Sequence, residues 1–276
     1  MKFEGSFKNS DAQNLIYRAF IPEGPLGSAV FVHGLGEHSL KYDEFAERFY
    51  RKGIAAFSYD QRGHGRSEGR RGHVNGLEEL VEDLRHFVDI VKVQTLRQDV
   101  YLIGQSLGGL LSIIFAIKYG KEIKGVVASS PALRLKNPPS AVETVVAKTM
   151  MFLNPALTVC NRVPFEDISH DERAVLETKE DKLSHRLISV RLYFEMMNAM
   201  RYAFDNISKI GVPILLLHGT GDRVVDADAT REFYGGLTSS DKEIKLYPKL
   251  YHELFREVNK DEIQEHILNW VLKRAT

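Results

Sequence analysis

The chain has 276 residues, 43% of them hydrophobic and 27% charged, an ordinary globular composition and enough length to bury about three quarters of its unfolded surface in one large core. Lys+Arg and Asp+Glu balance at 37 each, so no net field favours nucleic acid or an anionic membrane. The single cysteine, Cys160, excludes an internal disulfide, Met1 to Lys8 lacks a signal-peptide apolar stretch, and no segment approaches the roughly 18 apolar residues of a membrane span; a soluble, cytoplasmic protein is expected.

Phe3 to Lys8 and Asn14 to Phe20 read as a hairpin. Ala29 to Val32 is a short buried strand leading into the loop His33-Gly34-Leu35-Gly36-Glu37-His38. Phe45, Phe49 and Tyr50 then fall at helical spacing, and Gly53 ends that helix. Ile54 to Tyr59 is a second buried strand, and Leu77, Leu80, Val81, Leu84, Val88 and Val91 mark a long amphipathic helix. Val100 to Ile103 and the apolar run Leu110 to Ala116 give the next strand and helix, followed by the strand Ile123 to Ala128. From about Ala132 to Asp205 the pattern is helical with no convincing strand. Alternation resumes with the strand Val212 to Leu217, a helix around Thr230 to Tyr234, the strand Glu243 to Tyr247 and a last helix carrying Ile263, Ile267, Trp270 and Val271.

Repeated βα units with continuously apolar strands imply a mostly parallel sheet covered by helices on both faces. The expected organisation is a core of residues 1–131 and 206–276 with a helical cap, 132–205, inserted over the C-terminal edge of the sheet, where open α/β sheets bind ligands.

Ser106 stands in Gly104-Gln105-Ser106-Leu107-Gly108, between a buried strand and an apolar helix. A serine in such a turn is strained and lifted clear of the sheet, while the flanking glycines avoid collisions with the neighbouring strand and helix. Its hydroxyl needs a histidine to take its proton and a carboxylate to orient that histidine, in the chain order Ser, Asp/Glu, His. Asp222, in the loop after Ile214 to Leu217, is the candidate acid; its rivals Asp226 and Asp228 open the next helix and read as capping residues. His252, in the loop after Glu243 to Tyr247, is the candidate base, since His266 lies inside the last helix. The N–H groups of Leu107 and Leu35 are the candidate oxyanion donors, although the glycines around Leu35 also suit a sharp strand-to-helix connection. No histidine or cysteine spacing suggests a metal, and no cofactor is expected.

His33-Gly34-Leu35-Gly36-Glu37-His38, Asp60-Gln61-Arg62-Gly63-His64-Gly65-Arg66-Ser67 and the Ser106 elbow together resemble the monoacylglycerol lipase and lysophospholipase branch of the α/β-hydrolases. The resemblance covers the core on both sides of the insertion. It implies an α/β-hydrolase fold and hydrolysis of a single-chain lipid ester through an acyl-enzyme under a mobile cap, with Ser106, Asp222 and His252 matching the triad and Leu35 and Leu107 the oxyanion pair. The sequence departs from the family in having Gln105 and Leu107 where His and Met are frequent, and the insertion carries no matching motif. Asp60 and Arg62 are expected to hold their loop by buried hydrogen bonds.

Within the insertion, Val142, Val145, Val146, Thr149, Met150 and Leu153 form an apolar stripe at helical spacing, and Leu192, Tyr193, Met196, Met197 and Met200 form a second. Methionine adapts to flexible apolar ligands, so Val145, Val146, Met150, Met196 and Met197 are candidates to line an acyl tunnel; the same stripes suit contact with a membrane or micelle surface, or simple packing. Lysophospholipids and short esters are the nearer alternative substrates. A catalytically silent binding protein is the alternative of a different class.

Overall fold

The computed structural model describes residues 1–275. At the N-terminus β1 (Lys2–Lys8) and β2 (Asn14–Phe20) pair antiparallel, with Lys8 opposite Asn14. Next come β3 (Gly27–Val32), α1 (Asp43–Arg51), β4 (Ile54–Tyr59), α2 (Leu77–Thr95), β5 (Val100–Gln105), α3 (Leu107–Tyr119) and β6 (Gly125–Ser129). Gly53 turns the chain from α1 into β4 with φ +80°, a conformation that costs glycine nothing. After a long excursion the core closes with β9 (Ile214–Gly219), α7 (Ala227–Gly236), β10 (Lys242–Tyr247) and α8 (Lys260–Ala275). β9 starts two residues later than its apolar run suggests, at the residue after Pro213, which has no N–H to give the ladder.

These strands form one eight-stranded sheet in the order β1-β2-β4-β3-β5-β6-β9-β10. β2 runs against both neighbours and every other pairing from β4 to β10 is parallel, which makes this the α/β-hydrolase architecture. Alternate side chains of each central strand feed two cores. Val30 and Val32 of β3 pack with α2 and α3 on one face, while Ala29 and Phe31 pack with α1 and α8 on the other. Leu77, Leu80, Val81, Leu84, Val88 and Val91, the predicted apolar face of α2, are all buried.

The excursion between β6 and β9 contains α4 (Ala141–Leu153), β7 (Thr158–Cys160), α5 (Glu172–Glu180), β8 (Leu187–Ser189) and α6 (Val190–Asp205). The sequence predicts no strand here, but β7 and β8 form a short antiparallel ribbon, Thr158 opposite Ser189. Strands of three residues are too short to show a period. α4 starts with a capping box in which Ser140 and Glu143 satisfy each other's backbone N–H groups, and it stops before Asn154-Pro155. It has no buried residue, whereas α6 buries Leu192, Met196, Met200 and Ala203 in the main core.

Candidate active site

The elbow is built by close approach. Ser106 holds φ +55°, rare for a residue with a side chain, and its N–H donates to Ser129 O at 3.0 Å. A Cβ on Gly104 would stand 2.2 Å from Gly108 O, and one on Gly108 would stand 1.9 Å from Val32 O. No other residue fits either place. Leu107 opens α3, so its N–H has no partner one turn back and is free for a ligand at the helix N-terminus.

Asp222 and His252 arrive on the loops after β9 and β10. His252 Nδ1 lies 2.7 Å from Asp222 Oδ2, and both residues are buried. Asp222 Oδ1 accepts the N–H groups of Val224 (2.7 Å) and Val225 (2.9 Å). The two loops touch backbone to backbone: a Cβ on Gly219 or Gly221 would come within 2.3 Å of Leu250 O or Lys249 O. Burial opposes ionisation of Asp222, but His252 and His218 outweigh it and hold the carboxyl well below the usual range. Burial likewise pushes His252 down, and the adjacent Asp222 carboxylate reverses this and leaves it above the ordinary histidine value. The rivals lie elsewhere. Asp226 caps α7 and pairs with Arg134 and Lys136, Asp228 pairs with Arg231, and His266 bonds Glu243.

The loop after β3 is braced from below. His33 Nε2 accepts the Gln61 N–H at 3.0 Å, so its Nδ1 carries the proton and donates to Gly34 O at 2.8 Å. Glu37 Oε2 accepts from Gly34 N–H (2.9 Å) and from the Tyr42 hydroxyl (2.8 Å). Burial would raise the Glu37 carboxyl, yet Lys41 and the Gly34 N–H hold it at about 2, ionised. From the excursion, His185 N–H donates to Gly36 O at 2.9 Å, and a Cβ on Gly36 (φ +79°) would lie 2.0 Å from His185 O. His38 Nε2 meets Asp181 Oδ2 at 2.5 Å and adds a second tie.

Asp60 and Arg62 do hold their loop by buried bonds. Asp60 accepts from the N–H groups of Ser39 (2.7 Å) and Arg66 (2.8 Å), and Arg62 makes a two-pronged contact with the buried Asp83 at 2.6 and 2.8 Å.

Ser106, His252 and Leu35 line one cavity of about 920 Å³, a volume typical of small-molecule sites. Met196 and Met197 of α6 line it too. Val145, Val146 and Met150 do not: α4 turns Glu143 and Ala147 inward, and Val142, Val145 and Val146 face solvent at 74%, 63% and 55% exposure. An apolar stripe says that a helix has two faces, not which one meets the cavity. Reasoning from the sequence also misses Gln105, whose side-chain N–H donates to His252 O at 2.8 Å and ties the His252 loop to the elbow. Its place beside the nucleophile at the end of a buried strand is the available signal.

A strained serine, a buried His–Asp pair and a helix N-terminus around one cavity define a serine hydrolase site. A family profile described as "Serine aminopeptidase, S33" hydrolases matches residues 23–259. Human monoglyceride lipase is 31% identical over 273 residues, 97% of this chain and 89% of that protein. The monoacylglycerol lipase of Mycolicibacterium smegmatis is 29% identical, over 98% of this chain and 96% of its own length. The crystal structure of Paleococcus ferrophilus monoacylglycerol lipase superposes with a TM-score of 0.85 at 30% identity, covering 99% of both chains. The chain also spans 28% of the length of an uncharacterized abhydrolase domain-containing protein of Dictyostelium discoideum, at 32% identity. The chain thus belongs to the S33-type α/β-hydrolases, in their monoacylglycerol lipase branch, and is a carboxylic ester hydrolase of the serine class.

Proposed function

We propose that the protein hydrolyses monoacylglycerol to fatty acid and glycerol, with Ser106 as nucleophile, His252 as general base and acid, and Asp222 as the orienting acid. Ser106 Oγ attacks the ester carbonyl as its proton passes to His252 Nε2. The carbonyl electrons move onto oxygen, where the Leu35 and Leu107 N–H groups stabilise them. Collapse breaks the bond to the glycerol oxygen, which takes the proton from His252 and leaves an acyl-enzyme. Water, deprotonated by the same imidazole, repeats the sequence and releases the fatty acid. Asp222 stabilises the imidazolium and keeps the His252 proton on Nδ1.

The observation that carries the substrate class is the contrast within the cavity. Met196, Met197 and Tyr193 offer a soft apolar wall for one acyl chain, and Glu37, Lys41 and Glu253 add polar groups for a hydroxylated head group. Residues 132–205 act as the cap in this reading. No helix among the described residues is long and apolar enough to cross a membrane. Val142, Val145, Val146, Phe152 and Leu153 are exposed around α4, and they suit transient contact with a lipid surface from the cytoplasmic side.

The test is fluorophosphonate labelling of one sample and chain-length and head-group profiling of untreated enzyme. Label on Ser106 and faster turnover of monoacylglycerol than of lysophospholipid or short esters are expected. Label elsewhere overturns the site, and a preference for lysophospholipid overturns the substrate.

A further inference from the structure

His218 is the fifth residue of β9, and its side chain is wholly buried. Its Nε2 lies 3.1 Å from Asp222 Oδ2, the same oxygen that receives His252 Nδ1 at 2.7 Å. Its Nδ1 lies 2.7 Å from the hydroxyl of Thr230, buried on α7. An ionised carboxylate only accepts, so both imidazole nitrogens at Oδ2 must carry protons. In the neutral imidazole this is the Nε2–H tautomer, whose bare Nδ1 accepts the Thr230 hydroxyl proton. One directional chain results: Thr230 O–H to His218, His218 N–H to Asp222, and His252 N–H to the same oxygen.

We propose that His218 is a positioning residue for the reaction: its Nε2–H anchors Asp222 Oδ2 and sets how strongly that carboxylate holds His252. The inference rests on the Ser106–His252–Asp222 reading above. A neutral donor spreads the negative charge on Oδ2, which weakens the pull of Asp222 on the imidazolium. Removing the donor leaves a buried lone pair unmatched and the carboxylate more basic. His252 then takes up its proton more readily, and less of it is in the neutral form that accepts from serine. The other charged groups acting on His252 are its neighbour Glu253 and, from the loop after β3, Glu37. Lys41 and Arg256 act in turn on Glu253, whereas the hydrogen-bond partners of His218 are Thr230 and Asp222.

The experiment measures kcat/KM against pH for His218→Phe, His218→Gln and Thr230→Val, with folding checked by circular dichroism and melting temperature. His218→Phe should lower the plateau about ten- to hundredfold, the worth of one hydrogen bond to a charged group. Its acid limb should move to higher pH by about half a unit or more. His218→Gln keeps an N–H donor and should return the limb to the wild-type position. Thr230→Val frees the His218 tautomer and should shift the limb in the same direction by less.

A folded His218→Phe protein with an unmoved limb overturns the proposal and leaves His218 as filling between β9 and α7. So does a His218→Gln limb that coincides with that of His218→Phe. If His218→Phe does not fold, an unmoved limb in Thr230→Val is decisive in the same way. Asp222→Asn run in parallel separates the two readings. Wild-type turnover in that variant sinks the triad assignment itself, whereas its collapse beside an unmoved His218→Phe limb sinks only the role of His218.

Discussion

The floor and the roof of the cavity are built on opposite principles. On the floor, Asp222, His252, His33 and Glu37 are each at most 8% exposed and tied by hydrogen bonds to backbone or to one another. On the roof, α4 has no buried residue, and backbone bonds tie the chain on either side of it: Lys136 N–H donates to Val224 O at 3.0 Å, and Leu157 O accepts the Val190 N–H at 2.9 Å. α6, drawn from the same stretch of sequence, belongs with the floor because it buries its methionines against α2 and α3. Groups that need sub-ångström placement sit on the rigid part, and the surface suited to transient contact with lipid is left to the loosely held part.

The largest effects should come from the floor. Ser106→Ala and His252→Ala are expected to lower kcat by several orders of magnitude with the fold intact, because the triad works as a unit. Asp222→Asn should cost about 10⁴-fold, and Asp226→Asn, which weakens a helix cap and two surface ion pairs, should be mild. Steady-state hydrolysis of a soluble ester reads all four.

Met200→Ala, in α6, should destabilise the protein by about 2 to 5 kcal/mol, seen as a lower denaturation midpoint, since the cavity it leaves in the core cannot fully collapse. A loss under about 0.5 kcal/mol would place α6 with the roof and undo the contrast.

The third expectation concerns pH. His252 accepts a proton only when neutral, and its contact with Asp222 raises its pKa above the ordinary value. Activity should therefore fall about tenfold per pH unit on the acid side of a midpoint above about 6.5. A midpoint below that value would mean that burial, not Asp222, dominates the base.

The smallest effect belongs to α4. Val145→Asp with Val146→Asp should change stability by no more than about 0.5 kcal/mol. Hydrolysis of long-chain monoacylglycerol in vesicles should drop severalfold, with a short soluble ester unaffected. Equal loss on both would show that α4 is part of the floor after all.

The floor is also the part most legible in the sequence. The Ser106 elbow is local: a buried strand, two close-approach glycines and an apolar helix sit within about twenty residues, and each imposes a backbone constraint. Asp222 and His252 follow from chain order once the alternation of strands and helices is read. The α4 surface is not legible, because its orientation is fixed by contacts remote in sequence. The β7–β8 ribbon escapes for lack of length. Glu37, Gln105 and His218 escape because their work is done through hydrogen bonds across 3, 147 and 4 residues of sequence, which no periodicity records. His218 carries the faintest signal, a polar residue one short of the end of an otherwise apolar strand, just before the Asp222 loop.

The contact between Gly36 and His185 sets a limit for engineering. Because the His185 carbonyl occupies the space where a Cβ on Gly36 would be, residues 181–189 are a buttress of the loop after β3 even though they lie in the excursion between β6 and β9. A graft meant to alter contact with a lipid surface should therefore exchange 138–154 and keep everything from Pro155 onward, including the Tyr193, Met196 and Met197 wall of the cavity. Replacing the whole insertion would transplant specificity and dismantle the catalytic scaffold in the same cut.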